Sequence, residues 1–478
     1  MTPNNLADSQ RPRSEAPGQP PRINLGIMLR LGLFQMGLGM MSVLLFGLLN
    51  RVLIKELGVP ATIASVVLAV TLFVAPLRVW FGQLSDTRPL FGLHRTGYVL
   101  CGAVSFATIA FVAVQVMWQV GANLQSSGWS STTYAWTALL AFLFGLYGIA
   151  VSACSTPFAT LLVDVTDEED RSRIVGVDWA MLIGGTIIGG ITIGVMLKKL
   201  GNDPSLELLQ SSINRLFLVI PWIVVGLAVI ATWNVERQYS RFTIRTQGQG
   251  SEQQITLGRA WGILTASRQT RFFFTFLVAM TLGLFLQDAI LEPFGGEVFK
   301  MPAGATATLN AFWGTGTLIG ILGSGFFLAP RYGKRQTAKL GCQGVVLSLV
   351  LVIAAGFAAN PQMLQLVLLI FGLASGIATT GAITLMLDLT AAETAGTFIG
   401  AWGLAQALAR GLAAVIGGTT LDLGKKLTTN LVLAYGTVFL LQGLCMLLAI
   451  ALLSRVNVQE FQTTSREAIA NVLAADRD

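Results

Sequence analysis

The chain has 478 residues, 53% of them hydrophobic and only 12% charged, with a formal net charge of +7. A soluble domain carries about 25% charged residues, so this composition excludes a water-covered globule and leaves an integral membrane protein. The apolar runs are continuous rather than alternating, which argues against an outer-membrane barrel. The basic excess needs no nucleic acid, because Lys and Arg gather beside the apolar runs.

Residues 1–22 hold five prolines and no apolar core, and residues 1–28 are expected to form a disordered tail. Leu31 to Leu49 then carries no charge over nineteen residues. That exceeds the roughly 7–15 residues of a signal-peptide core and approaches the ~20 needed to cross a bilayer. Eleven more apolar segments follow. The twelve lie near 30–49, 59–83, 96–118, 135–162, 174–197, 213–233, 272–290, 305–329, 337–358, 362–387, 395–417 and 430–453. Only the linker 234–271 is long. It divides a six-helix half, 29–233, from a second, 272–454, and a tail 455–478 closes the chain. In that tail Thr464 and Glu467 have capping-box spacing. Cys101, Cys154, Cys342 and Cys445 all lie in apolar runs without metal-ligand spacing, so buried small hydrophobes are expected.

Orientation follows from Lys and Arg at the span ends. With both termini cytoplasmic, 21 of these residues fall on the cytoplasmic side and 8 on the other. Both termini are therefore expected in the cytoplasm.

The halves repeat one another. With a shift of 224 residues, ten of the 47 pairs from 148/372 to 194/418 are identical, among them Asp164/Asp388 and Thr160/Thr384. Two six-helix halves of the same topology are the plan of the major facilitator superfamily, an all-α membrane fold of 12 transmembrane helices, with any central site between the halves. "FGQLSDTRPLFGLHR" resembles that superfamily's G-x-x-x-D-R-x-G-R-R loop through Gly82, Asp86, Arg88, Gly92 and Arg95, with about three extra residues after Asp86. In the superfamily the glycine permits close helix packing and the charges lock the cytoplasmic ends. The counterpart "GSGFFLAPRYGKR" keeps Arg331, Gly333 and Arg335 but has Pro330 near the expected acid, so its lock must be weaker or different.

"RLGLFQMGLGMMSVLLFGLLNRVLIKELGVPA" with "APLRVWFGQLSDTRPLFGLHRTGYV" resembles the PucC/LhaA family, the bacteriochlorophyll-delivery branch of that superfamily. Arg30, Phe34, Gln35, Asn50, Arg51, Glu56, Gly58, Pro60, Pro76, Arg78, Gly82 and Asp86 carry the likeness. It is sharpest over residues 25–100 and weaker beyond. The resemblance implies a role in light-harvesting or photosystem assembly, in the intracytoplasmic or thylakoid membrane of a phototroph. Chlorophyll or bacteriochlorophyll would be the bound ligand. Antenna apoproteins, pigment-synthesis enzymes and lipid would be the partners. A proton-coupled transporter of a small solute and a non-transporting scaffold are the alternatives. No nucleotide loop, metal spacing or Ser/His/Asp set is present, so no enzyme activity is expected.

Polar residues inside spans are the candidate sites, because their burial is costly. Arg410 contacts either substrate or an acid in another span, and its repeat counterpart is Thr186. Arg78 contacts substrate or gate, or else pairs with Asp86 or a helix C-terminus. Gln35, Gln115, Gln287, Asn310 and Gln406 are candidate ligands for a pigment magnesium, which takes O and N donors. His94 lies in a loop and is a poor one. Arg78, Gly82, Asp86, Arg88, Arg95, Asp164 and Asp388 are expected at the cytoplasmic lock, with the matched Asp164 and Asp388 in architectural roles. Asp178 either binds a proton or, as expected, pairs with Arg171 or Arg173. "LFLQDAILEPFGGEVF" suggests a helix broken at "EPFGG", with Asp288 and Glu292 either lining a cavity, where they would carry protons or join Gln287 as magnesium ligands, or sitting as ordinary acids in a non-cytoplasmic surface loop.

Overall fold

The computed structural model describes residues 21–167, 170–200, 204–240, 268–389 and 395–456. Asp388 falls among helix residues whose side chains are not described, and the Thr464–Glu467 spacing lies outside the described residues.

Among the described residues eleven helices are long and apolar enough to cross a membrane. In the first half they are α1 (Leu25–Ser42, continued by π-helical turns Val43–Leu49 and Val52–Glu56), α4 (Thr96–Ser127), α5 (Ser131–Asp164), α6 (Arg171–Met196) and α7 (Leu206–Thr232). The second predicted span is split into α2 (Ala61–Phe73) and α3 (Leu77–Thr87). Pro76, which has no N–H to give, caps α3 and breaks the ladder. The 13 residues of α2 rise only about 20 Å, short of the ~30 Å hydrocarbon core, so α2 does not cross it alone. A short helix, α8 (Val235–Tyr239), follows α7.

The second half comprises α9 (Arg268–Phe285), a 3₁₀ turn at Leu286–Ala289, α10 (Leu291–Glu297), α11 (Ala303–Gly323), α12 (Ala329–Tyr332), α13 (Lys334–Ala358), α14 (Pro361–Leu389), α15 (Ala395–Leu427) and α16 (Leu431–Arg455). The break in α9 comes one turn before the expected "EPFGG", which is itself helical as α10.

The packing has a two-fold pattern. In the first half α1 lies against α6 and α7, α4 against α5 and α7, and α2 against α5. In the second, α9 lies against α15 and α16, α13 against α14 and α16, and α11 against α14. This is the pairing the internal repeat requires, with α5 matching α14 and α6 matching α15. Small residues permit the closest approaches: a Cβ at Gly316 would meet the Leu369 carbonyl, and one at Gly372 the Trp313 carbonyl. Apolar side chains such as Phe142, Leu366 and Leu440 are exposed, as a lipid-facing surface requires.

The helix ends fall on two faces. One holds the starts of α1 and α4 and the ends of α5 and α7, tied by Arg30 to the Ile230 and Trp233 carbonyls and by Glu236 to the start of α4. It also holds the start of α13 and the end of α16, joined by Arg335 and the Ser454 carbonyl at 2.7 Å. We call it the terminal face. The halves meet toward the far face, where α11 crosses α6 at Gly190, Gly194 and Gly304, and α15 crosses α2 at Gly411 and Gly418.

Candidate functional site

Two irregular segments, one from each half, meet in the middle of the molecule. The π-helical end of α1 faces the 3₁₀ turn after α9. Asn50 Nδ2 donates to the Ala289 carbonyl at 2.5 Å, which serves a backbone acceptor released by the helix break. Between the halves lies a pocket whose lining includes Ser42, Phe46, Thr186, Asp288, Glu292, Asn310, Trp313 and Arg410. The cavity measures about 50 Å³, room for a few waters and not for a tetrapyrrole.

Arg410 of α15 is the pocket's cation. Its Nε and Nη2 reach Asp288 Oδ2 at 3.2 and 2.9 Å, and its guanidinium carbon lies 4.3 Å from the centre of the Phe285 ring, within cation–π range. The acid in another span is therefore its partner. Thr186, its repeat counterpart, lines the same pocket, so the pseudo-two-fold sets a hydroxyl opposite a charge. Asn310 Nδ2 donates to Glu292 Oε1 at 2.8 Å. Glu292 is 2% exposed, which excludes a surface loop, and its Oε2 has no hydrogen-bond partner among the described residues.

The structure brings Asn310 and Arg410 to one pocket and places the other polar candidates elsewhere. Gln35 donates to Asp178 Oδ2 at 2.8 Å. This bond ties α1 to α6 and replaces the Asp178 pairing expected with Arg173, which instead meets Asp170 at 3.4 Å. The side chain of Arg171 is not described. Gln115 and Trp118 both donate to Asn214 Oδ1, at 3.1 and 2.9 Å, joining α4 to α7. Gln287 accepts from Gln442 at 3.1 Å in the core of the second half. Gln406 is half-buried one turn before Arg410.

At the terminal face the expected lock is centred on Arg95, 2% exposed. It donates to Asp164 Oδ2 at 2.9 Å and Ser85 Oγ at 2.6 Å, and meets Asp86 at 2.5 Å. Three expectations need correction. Arg78 is exposed and has no ion pair among the described residues, because Asp86 is turned to Arg95. Arg88 is exposed and caps the end of α3, so it takes no part in the cluster. Gly82 is not a tight packing point, since a Cβ there would meet only Thr156 at an ordinary 3.5 Å. The added loop residues form a hairpin in which Leu90 and Leu93 exchange backbone bonds of 2.8 and 3.1 Å around Phe91 and Gly92, both at positive φ. His94 Nδ1 lies 3.2 Å from the Ser85 carbonyl.

Sequence reasoning missed two groups. Glu236 accepts from the backbone N–H groups of His94, Arg95 and Thr96 at 2.6, 3.0 and 2.7 Å. It caps α4 from another helix, so no local spacing signals it. The second group joins the halves on the far face. Arg51, 1% exposed, donates to Thr306 Oγ1 at 2.6 Å and the Met301 carbonyl at 3.0 Å. Asp422 of α15 accepts from Ala61 N, Thr62 N and Thr62 Oγ1 at 3.0, 2.8 and 2.7 Å, capping α2 across the interface. Arg51 was legible as a charge beside an apolar run; that it is buried in the other half was not.

A family model described as "PUCC protein" matches residues 48–461. Protein PucC of Rhodobacter capsulatus is 29% identical over 440 residues, covering 90% of this chain and 92% of that protein. Protein PucC of Cereibacter sphaeroides is 30% identical over 405 residues, covering 83% of each. The "Bacteriochlorophyll synthase 44.5 kDa chain" of Rhodobacter capsulatus is 29% identical, covering 88% of this chain and 92% of that one. Among solved structures, the nucleoside transporter NupG superposes with a TM-score of 0.66 at 14% identity, over 90% of this chain and 99% of its own. A bacterial homologue of the iron transporter ferroportin superposes at 0.62 and 14% identity, over 90% and 100%. At these identities the structural likeness establishes the fold, which is that of the major facilitator superfamily.

Proposed function

The chain belongs to the PUCC protein family, and from that premise we propose that it is an assembly factor for photosynthetic pigment–protein complexes that delivers (bacterio)chlorophyll to their apoproteins in the membrane. The observation that carries this reading is the length of the match: relatives named PucC, and one named for bacteriochlorophyll synthase, align over most of the chain. In this reading the protein is a carrier or scaffold without catalysis, and both termini lie in the cytoplasm, so the terminal face is cytoplasmic.

The site chemistry is compatible with a large, mostly apolar substrate that carries a few acceptors. Phe46 and Trp313 would contact a ring system. Arg410 would meet an ester, keto or carboxylate oxygen, and Asn310 would supply an amide oxygen to the central magnesium. The halves must separate further for that, because the present space admits only water. The Arg410–Asp288 pair itself favours a second reading, a transporter of a small charged solute.

An absorption spectrum of the protein purified in mild detergent from a pigment-making host, followed by pigment extraction, separates the two. A stoichiometric chlorophyll-type band supports delivery. A colourless protein, together with normal antenna levels in a deletion strain, overturns it. Arg410→Ala should lower assembled antenna, or bound pigment, several-fold while the protein still folds and inserts.

A further inference from the structure

A second cavity lies at the terminal face, between the start of α4 and the end of α7. It measures about 290 Å³, close to the ~300 Å³ at which small-molecule sites begin. Leu93, Leu100, Val229 and Trp233 give it apolar walls, and Arg237 is the one cation in its lining. Glu236 lines it too, but both its oxygens accept from backbone N–H groups at the start of α4, so its charge is met by that helix end.

The depth of this groove follows from helix length. The 32 residues of α4 and 27 of α7 rise about 48 and 40 Å. The hydrocarbon core is ~30 Å thick and the whole bilayer ~40–45 Å. The ends that form the groove therefore stand at headgroup level. Beyond it Val104 of α4 and Ile230 of α7 are exposed, and a Cβ at Gly226 would meet nothing within 4 Å. The groove thus runs on into lipid-facing surface.

The added loop residues build one end of it. A Cβ at Gly97 would come within 2.5 Å of the Leu90 carbonyl oxygen, and Tyr98 Oη donates to the Arg88 carbonyl at 2.8 Å. The hairpin is thus fixed to α4. It sets Leu93 in the groove and presents Phe91, 78% exposed, at a φ of 56° that bulky residues rarely adopt. Trp233 is 70% exposed. Exposed aromatic residues at this depth are the pattern of a membrane interface. Arg88 and Arg237 are exposed beside them, and neither guanidinium has an ion pair or hydrogen bond among the described residues.

We propose that this groove binds one anionic phospholipid, with an acyl chain along Leu100 and Val229 and the phosphate on Arg237. The apolar walls call for hydrocarbon, the depth sets a headgroup beside it, and the unpaired guanidinium selects negative charge. A crossing helix of a partner protein is the poorer fit. On the α4 side the groove spans only Leu93 to Leu100, about two turns, where such a helix needs contact over ~30 Å. The site is independent of what the central pocket carries.

The test is native mass spectrometry of the full chain in detergent, with phosphatidylglycerol or phosphatidylcholine added. The parent should keep one phosphatidylglycerol where phosphatidylcholine is lost. Arg237→Ala should weaken that retention several-fold, and Arg237→Lys should restore most of it. Leu100→Trp, which fills the groove, should lower retention of both lipids. Lys426→Ala, at an exposed cation on the far face, should change nothing. A parent without preference for the anionic lipid overturns the proposal, as does an Arg237→Ala protein that retains it like the parent. Unchanged retention in a folded Leu100→Trp protein puts the lipid elsewhere and also overturns it; if that variant does not fold, the Arg237 pair decides alone. A parent from a pigment-making host that carries a polypeptide instead, released by Leu100→Trp, assigns the groove to a partner helix and overturns it as well.

Discussion

Arg95 and Arg51 are 2% and 1% exposed, but their surroundings differ. Arg95 is met by Asp164 and Asp86 and by Ser85, all within its own half. Arg51 crosses to the other half and bonds mainly to neutral oxygens of Thr306 and Met301. A charge fully compensated inside one half makes a fixed joint, because breaking it leaves carboxylates stranded. A charge under-compensated between halves makes a joint that can be undone. The second half adds a contrast: Arg335 donates to the Ser454 carbonyl of α16 and meets no acid among the described residues.

The comparison can be broken most easily at Arg95. Arg95→Met should destabilise the protein by about 3–5 kcal/mol, since it leaves the buried Asp164 unpaired, and thermal unfolding in detergent reads this directly. Arg51→Met should lower global stability much less. Its cost, about 1.5–3 kcal/mol for hydrogen bonds to a charged group, should appear as opening of the far face in spin-label distances. If both variants unfold equally early, the distinction between fixed and breakable joints fails. Asp422→Ala removes a cap supplied from the other half and should cost about 0.5–2 kcal/mol, again as far-face opening with α2 itself retained. Arg78→Ala, which loses no ion pair among the described residues, should change stability by no more than about 0.5 kcal/mol. A larger loss of stability would show that Arg78 has a partner.

The local pattern of the sequence determined the membrane class, the positions of the helices and the two-fold repeat. Hydrophobic length is a property of contiguous residues, and the 224-residue shift needs no folding to be seen. The Arg95 cluster was half legible, since Asp86 and Arg95 share a loop motif; Glu236, which caps α4 from beyond α7, has no such motif. The break in α9 was placed a turn too late, because "EPFGG" reads as a local breaker, while Pro293 is tolerated in the first turn of α10. Only the tertiary structure decided which polar residues share a pocket. Gln35, Gln115 and Gln287 look as available as Asn310 and Arg410 along the chain. Each of the three is instead satisfied by a neighbour on a helix inside its own half, because a buried polar group takes whichever partner packing brings within reach. The glycine at 47 was equally silent in the sequence, since a glycine among 52 acquires its meaning from what packs against it, here the Glu292 carboxylate.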